Sequence, residues 1–154
     1  MNEVHGSISH IHDPERKDYL FRVSLKSVIF NETGEVLVVK ETGRDWWDLP
    51  GGGIDHGESV KEGLARELRE EVSLTGDFEF RAILTEDPHY LAGPNLYQMR
   101  ITFLVQPEVV VFAPGDDGDE VMFVDPFSFK DSEVFTERRI YDYSQLAHPE
   151  TLQN

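Results

Sequence analysis

Apolar and β-branched residues are grouped into short runs separated by polar turns, and this pattern predicts most of the strands. The runs 19–30 (YLFRVSLKSVIF) and 36–39 (VLVV) flank the turn-forming sequence Asn-Glu-Thr-Gly at 31–34, which favours a β-hairpin. Further strands are predicted at 78–84, 96–105, 109–112 and 121–124. The sequence APGDDGD at 113–119 predicts an exposed acidic loop.

Two segments have the spacing of an amphipathic helix. An apolar residue recurs at every fourth position across 59–72, which predicts a helix there. Ser59 is placed to cap its N-terminus, and Glu62 stands at the distance of a capping box. A second helix is predicted over 132–146. The order hairpin, helix, strands, helix indicates an α/β fold with a mainly antiparallel or mixed sheet and helices on its faces.

The composition is that of one ordinary globular domain. The 154 residues include 39% hydrophobic and 29% charged side chains. There is no cysteine, which excludes disulfides and thiolate metal sites. We interpret residues 19–154 as a single domain preceded by a polar arm, residues 1–18. Three histidines of the arm, His5, His10 and His12, fit either a metal-binding tail or a solvated segment.

Neither a membrane span nor a secretory leader is predicted. No apolar run approaches the roughly 20 residues of a membrane helix, and the polar N-terminus lacks the apolar core of a signal peptide. A cytoplasmic location is therefore expected. The 30 acidic and 14 basic residues give a net charge of −16, which argues against a long nucleic-acid footprint. A small anionic substrate would need a bound cation to reverse the local field.

Three glutamates and a glycine run are the strongest chemical signal in the chain. Glu67, Glu70 and Glu71 fall within an arc of roughly 100° on the predicted helix. Glu71 lies at the border of the apolar stripe, so its carboxylate is expected to be partly desolvated. The glycines at 51–53 allow close backbone approach, and their carbonyls can face a metal. Oxygen ligands favour Mg²⁺ or Mn²⁺. The alternative is a solvated acidic helix face balanced by neighbouring basic residues.

The spacing of these residues resembles the Nudix box, the motif G-x5-E-x7-R-E-U-x-E-E-x-G-U in which U is a bulky apolar residue. The motif begins at Gly52 and ends at Leu74, and Ser73 stands where the family has glycine. Every other defined position matches. The approach WDLPG at 47–51 is also typical of the family. Because that glycine usually adopts a left-handed conformation, serine is expected to cost roughly 1 kcal/mol or to shift the end of the helix.

The resemblance implies a Nudix-type α/β/α sandwich with a mixed central sheet and a loop–helix–loop catalytic motif. It implies hydrolysis of a nucleoside diphosphate linked to another group, with one to three Mg²⁺ or Mn²⁺ ions. The implied metal ligands are the Gly51 carbonyl, Glu67, Glu70 and Glu71. The resemblance also assigns catalytic roles to Glu67 as the base and to Arg66 as the group that orients it. Glu58 is implied to hold Arg66 or a metal-bound water, and Gly52 supports the motif.

Outside the box, the candidate residues have two interpretations each. Glu120 either supplies a catalytic acid or base near the metals or is a plain loop carboxylate. Lys40 and Arg44 either contact phosphates or are exposed cations. Trp47 either stacks on a nucleotide base or belongs to the core.

Three functions are compatible with this sequence. The first is metal-dependent hydrolysis of a nucleoside triphosphate, ADP-ribose or a nucleotide sugar. The second is removal of pyrophosphate from the 5′ end of RNA, with only one or two nucleotides contacted. The third is a non-catalytic ligand sensor or interaction module on the same fold, which the intact box disfavours. The expected partner is a nucleotide-type small molecule, and a homodimer is an open interpretation because relatives often dimerise.

Overall fold

The computed structural model describes residues 2–4, 8–10 and 21–147. The described strands are β1 Asn2–Val4, β2 Ile8–His10, β3 Phe21–Val28, β4 Val36–Glu41, β5 Gly51–Gly53, β6 Phe78–Thr85, β7 His89–Leu91, β8 Leu96–Pro107 and β9 Gly118–Val124. The helices are α1 Val60–Val72, α2 Phe135–Ala147 and a short 3-10 helix, Pro126–Phe129. β1 pairs with β2 in an antiparallel ladder. His5, His12 and most of the predicted arm lie outside the described residues.

The main sheet is mixed, as predicted. Its strand order is β5-β3-β8-β6, and β7 pairs with a further part of β8. β3 runs parallel to β8, from Phe21 beside Tyr97 to Val28 beside Leu104. The other pairings in this sheet are antiparallel. β4 and β9 form a separate antiparallel ladder.

The helices cover the two faces of the sheet layer, and each covers its own apolar core. On the α1 side, Leu64 and Leu68 pack into a cluster that includes Leu25 and Phe103. On the α2 side, Ile140 belongs to a second cluster. β4 serves both cores, because its alternate residues point to opposite faces: Leu37 and Val39 belong to the α1 cluster, and Val36 and Val38 to the α2 cluster. The predicted α/β/α sandwich is confirmed.

The predicted hairpin forms only near its turn. Phe30 makes an isolated bridge with Val36, and the Leu37 N–H donates to the Ile29 carbonyl at 2.9 Å. Further along, β3 pairs with β5 and β8, whereas β4 pairs with β9. Both edges of β3 are thus already occupied, so its backbone groups have no free partners for β4.

The strand predicted at 109–112 is wrong. This segment has no strand structure, and Val109, Val110 and Val111 are exposed. The chain that follows it caps the last turn of α1, whose carbonyls have no partner within the helix. The capping donors are the amides of Ala113 (3.2 Å to the Val72 carbonyl), Gly115 (3.0 Å to Glu71) and Asp117 (2.9 Å to Glu70). The acidic loop is therefore anchored by its backbone, although most of its side chains are exposed.

The ends of both helices follow from local hydrogen bonds. The predicted capping box is present: the Ser59 hydroxyl accepts from the Glu62 N–H, and the Glu62 carboxylate accepts from the Ser59 N–H. Ser73 adopts the left-handed conformation, with φ 56° and ψ 34°. α2 begins at Phe135, later than predicted. The Ser132 hydroxyl accepts from the Val134 N–H at 3.1 Å and so forms a turn before the helix.

The substitution Ser73→Gly should stabilise the protein. Glycine adopts the left-handed conformation without the steric cost that serine bears, which is about 1 kcal/mol. A domain of this size then gains roughly 2–4 °C in melting temperature, measurable by calorimetry. Ser73→Ala is the matched control, because it keeps the steric cost and removes only the 3.3 Å hydrogen bond to the Pro114 carbonyl. Equal melting temperatures for the two variants would contradict the conformational explanation.

Candidate active site

A polar cleft of about 490 Å³ lies where the glycine strand β5 meets β3 and α1. Two glutamates of α1, Glu67 and Glu71, are among its lining residues. Its basic lining residues come from β3, β8, α2 and the loop after β4: Arg22, Lys26, Arg44, Arg100 and Arg139. One cleft thus combines carboxylates with a cluster of cations, in a chain whose net charge is −16.

Glu71 is a buried carboxylate at the floor of this cleft. It is 4% exposed and accepts a hydrogen bond from the Gly51 N–H at 2.9 Å. Burial raises the pKa of Glu71 to about 9, and the nearby Lys26 offsets only part of that rise. The desolvation expected from its place in the helical pattern is confirmed. An anion at this position therefore needs a cation in the cleft.

The glycines of β5 are required by close contacts. Gly51 has φ 141°, and a Cβ atom there would lie 1.9 Å from the Leu25 carbonyl oxygen. A Cβ atom on Gly52 would lie 2.6 Å from a carboxylate oxygen of Glu67. Neither position has room for a side chain, so the bare backbone of β5 lies directly against the carboxylate of α1.

Arg66 ties together the entry and the middle of α1. Its guanidinium donates to Glu58 at 2.6 and 3.1 Å, to Glu67 at 2.7 Å and to the Gly53 carbonyl at 2.9 Å. These hydrogen bonds raise the pKa of Arg66 and lower the pKa of Glu58, so both groups stay charged. The expected contact between Glu58 and Arg66 is present, and Arg66 fixes the orientation of Glu67.

A buried ion pair that the sequence analysis missed supports the loop before β5. The Lys26 ammonium donates to Asp48 at 2.9 Å, to the Leu49 carbonyl at 3.1 Å and to the Gly51 carbonyl at 3.5 Å. Both charged side chains are less than a tenth exposed. The available signal was a lysine inside the otherwise uncharged segment VSLKSV of β3.

The three glutamates of the predicted metal site lie on one helix, α1, but in different surroundings. Within the described residues, no group of three or more His, Asp or Glu side chains is arranged to hold a metal ion. Glu70 is 3.4 Å from Arg66 and is not among the residues that line the cleft. The remaining donors are the carboxylates of Glu67 and Glu71 and the Gly51 carbonyl. These hard oxygen donors, one of them a buried carboxylate short of positive charge, fit a small divalent cation that keeps several waters.

Of the four candidate residues outside the Nudix box, one lines the cleft and three do not. Arg44 lines the cleft, where it pairs with Glu41 at 2.9 Å, and Trp46 lines it as well. Three other candidates are not among the lining residues: Glu120, Lys40 and Trp47. Glu120 pairs with Lys40 at 3.6 Å, and the Lys40 ammonium lies 4.8 Å from the centre of the Trp47 ring. Trp47 packs against the α2-side core.

Three arginines of the cleft, Arg22, Arg100 and Arg139, were also missed by the sequence analysis. They come from β3, β8 and α2, which are far apart along the chain, so no local motif connects them. The only feature of the sequence that singles out these arginines is the scarcity of basic residues, of which the whole chain has 14.

Comparison with known proteins establishes the family. The model of the NUDIX domain matches residues 20–153, so the chain belongs to the Nudix family. An RNA pyrophosphohydrolase of Ruthia magnifica is 44% identical over 71 residues, which are 46% of this chain and 38% of that protein. An RNA pyrophosphohydrolase of Shewanella frigidimarina is 44% identical over 54 residues, which are 35% of this chain and 31% of that protein. The chain thus matches only about a third of the length of these curated relatives, 38% and 31%.

Solved structures show the same fold at lower identity. The MutT protein of Methanosarcina mazei superposes with a TM-score of 0.67 and 22% identity, over 90% of this chain and all of that one (100%). An ADP-ribose pyrophosphatase of Streptococcus suis superposes with a TM-score of 0.64 and 23% identity, over 86% and 92% of the two chains. None of the described helices is long and apolar enough to cross a membrane.

The substitution Glu71→Gln should raise the melting temperature of the metal-free protein at pH 8. Folding raises the pKa of Glu71 from 4.5 to about 9, so its burial costs stability increasingly as the pH rises between these values. Glutamine keeps an acceptor for the Gly51 N–H and carries no charge. Each kcal/mol gained in the free energy of unfolding raises the melting temperature by roughly 2–4 °C, which calorimetry in excess chelator would detect.

The matched control is Glu79→Gln, which changes an exposed glutamate of β6 and should leave the melting temperature unchanged. Added Mg²⁺ should stabilise the wild-type protein and should fail to stabilise the Glu71→Gln variant. A metal-free Glu71→Gln variant that melts below the wild type would contradict this account of the cleft.

Proposed function

We propose that this chain hydrolyses a pyrophosphate bond in a nucleoside diphosphate linked to another group, with Mg²⁺ or Mn²⁺ as cofactor. The observation that carries this proposal is the placement of the Glu67 and Glu71 carboxylates in the same cleft as several cationic side chains. Oxygen donors suit the metal, and cations suit the phosphates. Membership in the Nudix family supports the same reaction.

The residues of the cleft would have two roles, metal binding and phosphate binding. Glu67, Glu71 and the Gly51 carbonyl would hold the cation, with Glu70 as a ligand that must leave Arg66 to join them. A bound divalent cation neutralises phosphate charge and makes a bound water more acidic. Arg22 and Arg44, which also line the cleft, would bind phosphate oxygens.

Glu67 is the better placed of the two candidates for the catalytic base. It lines the cleft, and Arg66 orients its carboxylate at 2.7 Å. Burial raises the pKa of Glu67 against the opposing effect of Arg66, which makes it a stronger proton acceptor than an exposed glutamate. Glu120 is paired with Lys40 on the β4–β9 ladder, and its carboxylate is mostly exposed.

Two substrate classes have support of different kinds. Nucleoside triphosphates, ADP-ribose and nucleotide sugars fit a cleft of this size, and a structural neighbour is an ADP-ribose pyrophosphatase. The 5′ end of RNA is the second candidate, because the curated relatives named above are RNA pyrophosphohydrolases. The net charge of −16 then restricts contact to the first nucleotides. Nucleotide substrates of either class accord with a cytoplasmic location.

A hydrolysis screen with product identification tests the reaction. The substrates are nucleoside triphosphates, ADP-ribose, nucleotide sugars and 5′-triphosphorylated RNA, each with and without Mg²⁺. We expect turnover of at least one of them to require the metal and to fall about 100-fold or more in Glu71→Gln, whereas Glu79→Gln retains it. Full activity in excess chelator would reject the metal-dependent reaction. Absence of hydrolysis, together with tight nucleotide binding, would favour the ligand sensor.

A pair of variants distinguishes the two candidate bases. Glu67→Gln should lower kcat by about 100-fold or more, since a positioned base contributes roughly that much or more. Glu120→Gln should change kcat by less than about threefold, because its carboxylate is tied to Lys40 and lies outside the cleft lining. The reverse ranking, measured by steady-state kinetics under saturating Mg²⁺, would assign the base to Glu120.

A further inference from the structure

Arg100 and Arg139 form a pair that the reaction described above leaves without a role. Arg100 lies on β8 and Arg139 on α2. Both line the cleft, and both also line an adjoining cavity of about 620 Å³. The two guanidinium groups therefore lie where these two spaces meet, on elements other than α1.

The hydrogen-bonding capacity of the pair is not satisfied within the described protein. The Nε atoms of both arginines are buried and have no hydrogen-bond partner there. The Arg100 residue is only 8% exposed. Arginine carries a fixed charge and five donors at any physiological pH, so a buried guanidinium needs acceptors. The two Nε–H groups are therefore available to an acceptor from outside the chain.

The pair is also short of negative charge. Glu86 accepts from Arg100 Nη1 at 3.1 and 3.3 Å. The guanidinium of Arg139 lies 5.4 Å from the ring of Phe135. Burial, followed by repulsion from Arg100, lowers the pKa of Arg139, while Asp48 and Glu86 oppose this change. An anion between the two arginines would offset both the burial of their charges and the repulsion between them.

We propose that Arg100 and Arg139 bind a third phosphate group, additional to the two that share the hydrolysed bond. This inference rests on the proposed function and narrows its substrate to a nucleotide with a 5′-triphosphate chain. ADP-ribose and nucleotide sugars carry only two phosphates and would leave the pair unfilled. Each arginine is a specificity-determining residue, since its contact discriminates between substrates of different phosphate number.

A binding experiment tests the subsite independently of catalysis. The probes are inorganic tripolyphosphate and pyrophosphate, titrated by calorimetry with Mg²⁺ into a Glu67→Gln background that blocks turnover. Adding Arg139→Gln should weaken the binding of tripolyphosphate about tenfold or more, which is the loss expected for one charge-assisted contact. The same substitution should weaken the binding of pyrophosphate less than about twofold. The control Arg138→Gln makes the same charge change on the same helix, outside the cleft lining. Equal weakening of both probes by Arg139→Gln would overturn the third-phosphate subsite.

Thermal stability separates a binding role from a structural one. Without an anion, Arg139→Gln should melt at or above the wild-type temperature, because it removes a partly buried charge that is repelled by Arg100. A variant that melts several degrees lower and binds both probes weakly would show a structural role and overturn the proposal.

Kinetics with three substrates identifies which phosphate occupies the subsite. A nucleoside triphosphate, the corresponding diphosphate and a dinucleotide with a 5′-diphosphate are compared under Mg²⁺. Arg139→Gln should raise KM about tenfold for the triphosphate and spare the other two. A raised KM confined to the dinucleotide would assign the pair to an RNA phosphodiester and overturn the triphosphate assignment. If none of the three is hydrolysed but ADP-ribose or a nucleotide sugar is, the triphosphate assignment is overturned and the proposed reaction stands. If no substrate of either class is hydrolysed, the proposed reaction fails, while the binding experiment still decides the subsite.

Discussion

The structure depends on the close approach of one bare backbone segment to two neighbours. β5 lies against β3 on one side and against the carboxylates of α1 on the other, at distances that leave no room for a side chain at Gly51 or Gly52. The same contact gives Glu71 its backbone donor. Because the glycine strand joins the sheet and the helix, it determines where the carboxylates lie relative to the cations of β3.

Two separate groups of ion pairs hold the charged side chains of this region in fixed positions. Arg66 is held by Glu58 and in turn holds Glu67, while Lys26 is held by Asp48 and two backbone carbonyls. Glu71 belongs to neither group, and burial raises its pKa to about 9, so its ionised form is unfavourable until a cation enters the cleft. Such an arrangement is pre-organised for a ligand that brings cations and anions together, as a metal-bound phosphate does.

Local sequence predicted the parts whose interactions are local. The capping box of α1, the burial of Glu71 and the left-handed Ser73 follow from positions within one helix. The strand predicted at 109–112 was wrong and the hairpin forms only near its turn, because distant segments decide both: β5 and β8 occupy the edges of β3, and α1 needs amide donors for its last carbonyls. Apart from Arg44, the basic side of the cleft could not be predicted, since Arg22, Arg100 and Arg139 meet only through the fold. The role of Glu70 as a metal ligand stays a prediction, and its carboxylate lies 3.4 Å from Arg66.

The anchored acidic loop restricts how this fold can diversify. Gly115 and Gly118 approach α1 so closely that a Cβ atom on either would lie 2.2 Å from a helix carbonyl oxygen, and the Gly115 amide also satisfies the end of that helix. An insertion or a bulky residue here would disturb the helix that carries the carboxylates. Beyond Glu86, which pairs with Arg100, the segment between β6 and β8 has mostly exposed residues and only the short β7, so few contacts restrict its length and composition. New ligand preferences can therefore evolve there without loss of the carboxylate framework.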